Sequence, residues 1–107
     1  MWLFFSDGFL SIVAHRVLPD CLLVRTRNMS HLKDLFPKAE HFTLLNSDYP
    51  HRAIIPRKVA CDMITNYMMS MKYDNFKKSV PDKHFKDACN MIWSIMYQYG
   101  VSYRRGY

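Results

Sequence analysis

The order of apolar and polar residues predicts a β-meander in the first quarter of the chain. Residues 2–5 form an apolar run, and residues 6–8 (Ser-Asp-Gly) have the composition of a chain-reversing turn. Residues 9–15 form a second arm that is mostly apolar on both sides, which favours a strand buried on two faces or a central position in the sheet. Residues 21–27 follow the Pro19-Asp20 turn and form the third predicted strand.

The third predicted strand has the clearest alternation. Leu22 and Val24 face one side, whereas Leu23, Arg25 and Arg27 share the other. Because successive side chains of a strand point to opposite faces, we expect Arg25 and Arg27 to lie side by side on one face or rim of the sheet.

Two short extended segments and a short helix are predicted next. Asn28 or Ser30 can cap a helix of two turns whose apolar stripe is Leu32, Leu35 and Phe36. Residues 41–45 and 51–55 are compatible with further strands, separated by the turn-forming residues 46–50 (Asn-Ser-Asp-Tyr-Pro).

The second half of the chain has the spacing of two longer helices. The first begins near Pro56 and has an apolar face recurring at three and four residues: Val59, Ala60, Met63, Ile64, Tyr67, Met68 and Met71. The second opens at Pro81, with Asp82 in its first turn, and ends at Gly100, which suits the C′ position. A short tail follows. The predicted inner face of this helix is Phe85, Ala88, Cys89, Ile92, Ile95, Met96 and Tyr99.

These elements predict a single α+β domain over residues 1–107. We expect an antiparallel sheet, made of the N-terminal β-meander plus one or two further strands, with two main helices packed on one face. The hydrophobic fraction of 50% supports a compact fold.

The charge and cysteine content bear on partners and location. The formal net charge of +6 favours contact with nucleic acid or an acidic protein surface, or it simply keeps a small protein soluble. Cys21, Cys61 and Cys89 form no CxxC pair, so we expect buried, reduced thiols in a cytoplasmic protein. The first apolar run is interrupted by Asp7, lacks the features of a secretory signal and is too short to span a membrane.

Candidate chemistry is sparse. The five histidines are scattered without metal-ligand spacing, and the three glycines form no phosphate-binding loop. No nucleophile has a base at a recognisable spacing. We therefore expect no enzyme activity, no catalytic residue, no metal and no cofactor.

Cationic residues interleaved with aromatic ones are the candidate binding residues. They are Arg25, Arg27, Tyr49, Arg52, Arg57, Lys58, Lys72, Tyr73, Lys77, Lys78, Arg104 and Arg105. The alternative is that these are solvated helix ends whose cations complement the helix dipole.

Several short stretches resemble a family of short uncharacterised proteins of bacteria and mobile elements. The stretches are DGFxSIV at residues 7–13, LLVRxR at 22–27, DYPxRA at 48–53 and YDNFK at 73–77, with Trp93 to Tyr97 similar as well. The resemblance covers most of the chain and implies a consistent fold without a mechanism.

Three hypotheses about function follow. The first is a non-enzymatic binding protein from a phage or mobile element that inhibits a host nucleic-acid-handling defence machine such as a CRISPR effector, by docking on an acidic protein surface or nucleoprotein complex. The second is direct nucleic-acid binding through the cationic rim of the sheet and the tail. The third is a small enzyme acting on nucleotides or RNA. We expect no membrane partner.

Overall fold

The computed structural model describes residues 1–105. The chain forms two compact units, of which the first is Met1–Lys72 and the second begins at Tyr73. The first unit contains all the strands described below and two helices; the second is helical.

The first unit is built around a five-stranded antiparallel sheet in the order β1-β2-β3-β5-β4. Its elements in chain order are β1 (Trp2–Phe5), β2 (Gly8–Ala14), β3 (Cys21–Thr26), α1 (Met29–Leu35), β4 (His41–Thr43), β5 (His51–Pro56) and α2 (Arg57–Met69). The α+β class, the β-meander and the two additional strands are therefore confirmed. The central strand is β3, whereas β2 lies one position from the edge.

One face of the sheet carries the core. Leu10, Val24 and Ala53 have no exposed surface and lie on β2, β3 and β5. The predicted apolar stripe of α1, Leu32, Leu35 and Phe36, is buried in the same cluster. Asn28 caps this helix as predicted, because its side-chain oxygen accepts a hydrogen bond from the Ser30 N–H at 3.0 Å.

Helix α2 covers the core with a narrower face than its sequence predicts. Ala60 is buried, and Met63, Ile64 and Tyr67 pack partly buried against the core. The remaining predicted members, Val59, Met68 and Met71, are exposed, so this part of the prediction is wrong. A sheet shields from solvent only the helix side chains that project toward it. Val59 projects elsewhere and lines an open apolar cavity of about 500 Å³ beside the end of α1.

The second unit contains α3 (Phe76–Ser79) and the 22-residue helix α4 (Lys83–Arg104). Helix α4 begins at Lys83, so the predicted start at Pro81 with Asp82 in the first turn is wrong. Asp82 is instead the N-cap and accepts a hydrogen bond from the His84 N–H at 3.2 Å. The predicted end at Gly100 is wrong, since the helix continues to Arg104. A glycine inside a helix lowers the stability of the helix by only about 1 kcal/mol relative to alanine. The hydrogen bonds of the last turn offset this loss. Residues 106 and 107 of the predicted tail lie outside the described residues.

The predicted inner face of α4 is only partly buried. Phe85 and Cys89 are buried, but the other members, Ala88, Ile92, Ile95, Met96 and Tyr99, are exposed. The spacing correctly identified an apolar side of the helix. It did not reveal that this side lies exposed beyond Cys89.

The cysteine prediction holds for Cys89 only. Cys21 is half-buried and Cys61, on α2, is exposed. Among residues 1–105, no group of three or more potential metal-ligating His, Cys, Asp or Glu side chains converges. No helix in that range is both long and apolar enough to cross a membrane.

Candidate functional site

The strand register aligns polar and aromatic side chains on the sheet face opposite the core. Trp2 pairs with Ser11, Ser11 with Arg25, and Arg25 with Arg52, so one row crosses four strands. Paired residues of adjacent strands project from the same face. We call this surface the open face; its residues are Trp2, Phe4, Phe9, Ser11, Val13, Leu23, Arg25, Phe42, Arg52 and Ile54.

Two guanidinium groups, one of them from the open face, lie over the ring of one tyrosine. The Cζ atoms of Arg25 and Arg27 lie 4.6 and 4.5 Å from the centroid of the Tyr49 ring. Both distances are typical of cation–π contacts, and Tyr49 is only 4% exposed. The predicted proximity of Arg25 and Arg27 is therefore confirmed, while Tyr49 is a buried support rather than an exposed anchor.

The loop before β5 positions this tyrosine through local hydrogen bonds. The Tyr49 N–H donates to Asp48 Oδ1 at 2.9 Å, and its carbonyl accepts from Ser47 Oγ at 2.7 Å and from Arg52 Nε at 3.0 Å. Arg27 Nε donates to the Asp48 carbonyl at 3.1 Å. Asn, Ser and Asp favour such local bonds, which explains why residues 46–48 form a tight loop. Arg25, Arg27, Tyr49 and Arg52 together form what we call the Arg–Tyr cluster.

The Arg–Tyr cluster retains unused hydrogen-bonding capacity. Arg25 donates from Nη2 to Ser11 Oγ at 2.8 Å, but its buried Nε has no hydrogen-bond partner. Arg52 uses its Nε on a backbone carbonyl. None of the cluster's guanidinium groups pairs with a carboxylate in the described part of the chain. The cluster therefore concentrates three positive charges that form no direct ion pair within the described part of the chain.

Aromatic rings continue the surface toward β1. Phe4 stacks on Phe9 with centroids 4.7 Å apart, and Trp2 meets Phe9 edge to face at 6.1 Å. Phe9 lies 6.4 Å from Tyr49, which links the rings to the Arg–Tyr cluster. Trp2 remains 68% exposed, so much of its indole surface is open to a ligand.

A pocket of about 460 Å³ opens on the same face at the ends of β2 and β3. Val13 and Leu23 are among its lining residues, together with Arg16, Arg25 and Arg52. The volume is within the range of small-ligand sites. An apolar surface beside three guanidinium groups suits a ligand that carries both a flat apolar part and a negative charge.

His15 is one of the residues that line this pocket. Its Nδ1 accepts hydrogen bonds from the Val17 and Leu18 N–H groups at 3.1 and 3.0 Å. A ring nitrogen that accepts a hydrogen bond carries no proton, so the proton of the neutral ring is on Nε2. The turn after β2 thereby determines the tautomer of His15.

The other predicted binding residues do not join the Arg–Tyr cluster. In the first unit, Arg57 Nε donates to the Pro19 carbonyl at 2.7 Å, Lys58 forms an exposed ion pair with Asp62, and Lys72 is exposed at the end of the unit.

The second unit holds the remaining predicted residues. The Lys77 Nζ atom lies 4.1 Å from the Trp93 ring centroid, and Tyr73 contacts Phe76 edge to face. Three more have backbone or capping roles there: the Lys78 N–H is capped by Asn75, Arg104 Nε donates to the Gly100 carbonyl, and the Arg105 N–H donates to carbonyls of the preceding turn.

Sequence reasoning missed several residues of the open face and of the pocket beside it. Trp2, Phe4 and Phe9 were assigned to the meander without a binding role, and His15, Arg16 and Phe42 were not singled out. The alternation of side chains indicated which residues share a side within each strand: positions 9, 11 and 13 in one strand, and 23 and 25 in the next. Only the register between the two strands shows that both sets lie on the same face of the sheet.

Comparisons with protein-family models, with curated proteins and with solved structures each find no match. The resemblance to short bacterial and mobile-element proteins therefore stays a prediction.

Proposed function

We propose that this protein binds single-stranded nucleic acid on the open face of its sheet, without catalysis. The observation that carries the proposal is the row from Trp2 through Ser11 and Arg25 to Arg52. This row places an exposed indole on the same surface as two guanidinium groups that form no ion pair in the described part of the chain. The guanidinium groups bind the phosphates of the strand, and the aromatic rings stack on its bases.

The arrangement favours a single strand over a duplex. A base lies flat on an aromatic ring only when it is unpaired and unstacked, because both of its faces are covered inside a helix. Trp2 and Phe42, 68% and 40% exposed, project from the two edge strands β1 and β4. Arg25 and Arg52 occupy the strands between them, so a strand of nucleotides crossing the sheet meets rings and cations in turn.

Rigid positioning lowers the entropic cost of binding. Arg25 and Arg27 pack on the Tyr49 ring, and Arg52 is anchored to the backbone of the same loop. Side chains that are already ordered lose less freedom when a ligand binds. The pocket beside Arg25 and Arg52 takes a phosphate on Arg16 and Arg52.

The inhibitor of a host defence machine remains a prediction, since guanidinium groups also bind protein carboxylates. We favour nucleic acid because the open face combines those groups with an exposed tryptophan, and stacking on that ring needs a flat partner. An acidic peptide is therefore one of the ligands to be tested.

Fluorescence anisotropy with a labelled oligonucleotide of about 12 nucleotides tests the proposal, since an OB fold, which also binds single strands, covers about 4–16 nucleotides. We expect affinity to fall steeply with salt. Trp2→Ala should weaken binding by about 5-fold to 160-fold, because stacking contributes about 1–3 kcal/mol per base. Arg52→Gln should weaken it and reduce the salt slope by about one phosphate contact.

Matched controls separate the open face from general effects of charge and aromaticity. Trp93→Ala removes another half-exposed tryptophan, from α4, and Lys33→Gln removes an exposed cation from α1; both should leave affinity unchanged. Absence of binding at low salt, or equal losses in the controls, contradicts the proposal. Tighter, Arg52-dependent binding of an acidic peptide supports a protein partner instead.

A further inference from the structure

Helix α4 carries a regular apolar seam along one side. Phe85, Cys89, Ile92, Met96, Tyr99 and Tyr103 follow one another at alternating intervals of four and three residues. This is the a/d repeat with which helices pack side by side in coiled coils.

The seam changes environment halfway along the helix. Phe85 and Cys89 are 9% and 5% exposed, whereas Ile92, Met96, Tyr99 and Tyr103 are 38%, 57%, 61% and 73% exposed. We call these four exposed residues the α4 seam. Adjacent Ile95 is also 65% exposed.

Charge is absent from this part of the helix. Residues 88–103 contain no Asp, Glu, Lys, Arg or His, although the whole protein carries a formal charge of +6. The positions that flank the α4 seam, Trp93, Ile95, Gly100 and Ser102, would carry the charges that select a different partner in a coiled coil. Here they are neutral, so two copies of α4 meet without repulsion.

The exposed area is sufficient for self-association. Large apolar and aromatic side chains at this exposure offer roughly 600 Å² per copy, and a pair buries about 1,200 Å². That total is the lower end of the range for specific interfaces, and the area per copy is at the upper end of the largest apolar patch that a typical monomer leaves exposed.

We infer that the α4 seam binds the α4 seam of a second copy of this chain, forming a two-fold symmetric helix pair. Each seam residue enters a space between residues of the opposite helix. This inference stands on α4 alone and does not depend on nucleic-acid binding by the open face.

Sedimentation equilibrium of the full chain over a range of concentrations tests the inference. We expect the native sequence to form a dimer that dissociates on dilution. Met96→Glu should remain at the monomer mass of 12.8 kDa, because it places a carboxylate in the seam. Met96→Leu should remain dimeric, because it keeps the seam apolar.

Gln98→Glu is the matched control, since it adds the same charge to the same helix on the opposite side and should stay dimeric. Circular dichroism checks that all variants keep their helix content. A native chain that is monomeric at every concentration overturns the inference, as does a Met96→Glu variant that still dimerises. A monomer that binds vesicles of anionic lipid through the α4 seam overturns it in favour of a membrane surface.

Discussion

Gly8 allows β2 and α1 to approach closely. A Cβ atom at this position would overlap the imidazole ring of His31. The ring is held in place partly because His31 Nδ1 accepts a hydrogen bond from the Phe9 N–H at 3.1 Å. The sequence indicates a turn at Asp7-Gly8, but glycine is also required here because only hydrogen leaves room for His31.

We expect Gly8→Ala to destabilise the protein by about 1–3 kcal/mol, since the added methyl group displaces His31 and disturbs its hydrogen bond. Urea denaturation followed by circular dichroism measures the change. Gly100→Ala is the control: its methyl group meets no atom within 4 Å, and alanine is the better helix former. That variant should be up to about 1 kcal/mol more stable. A Gly8→Ala variant as stable as the native chain would show that His31 can move aside freely.

The two long helices show that an apolar periodicity identifies the apolar side of a helix. It does not show how much of that side the rest of the chain buries. In α2, burial is complete only at Ala60, while Val59 and Met68 are exposed. In α4, it ends at Cys89 although the repeat continues. The same spacing serves packing inside one chain and packing between chains, because both need a line of apolar side chains.

The reactivity of the cysteine thiols reports which sides of α2 and α4 are buried. Cys61 is exposed on α2, whereas Cys89 is buried on α4, and burial raises the pKa of the Cys89 thiol. Since the thiolate is the reactive form, Cys89 stays protonated to a higher pH than an exposed cysteine would. We expect iodoacetamide to label Cys61 first and Cys89 last, at least about tenfold more slowly.

Mass spectrometry of timed samples near pH 8 follows the labelling of each cysteine. In denaturant the rates should become similar, because the difference arises from folding. Folded protein in which Cys89 reacts as fast as Cys61 would contradict the burial of Cys89.

At the scale of the whole molecule, the two proposed surfaces lie on different units. The open face belongs to the sheet of the first unit, and the α4 seam belongs to the second. A dimer formed through α4 would carry two open faces. A strand long enough to reach both open faces of such a dimer would bind bivalently.

We expect Met96→Glu to weaken binding to a strand of about 40 nucleotides by about 100-fold, since the second contact is no longer intramolecular. Its affinity for a strand of about 12 nucleotides should equal that of the native chain, because that length occupies one face. Anisotropy titrations with both lengths measure the ratio. Equal affinity of the native chain for both lengths contradicts bivalent binding, and weaker binding of the variant to the short strand would point to damage at the open face.

Much of the fold could be predicted because it depends on local chemistry. The strands β1 to β3 follow from alternation and turn residues, and α1 follows from the Asn28 cap and the spacing of Leu32 and Leu35. The adjacency of Arg25 and Arg27 also followed, since residues two apart on a strand share a face.

Only the tertiary structure decided which of these residues act together. The placement of β5 beside β3 brings Arg52 next to Arg25, and the loop before it folds Tyr49 onto both Arg25 and Arg27. Strand order and loop path depend on contacts between distant parts of the chain, which no local pattern contains. The same holds for α4, where the repeat was visible in the sequence but the exposure of its second half depends on what the rest of the chain covers.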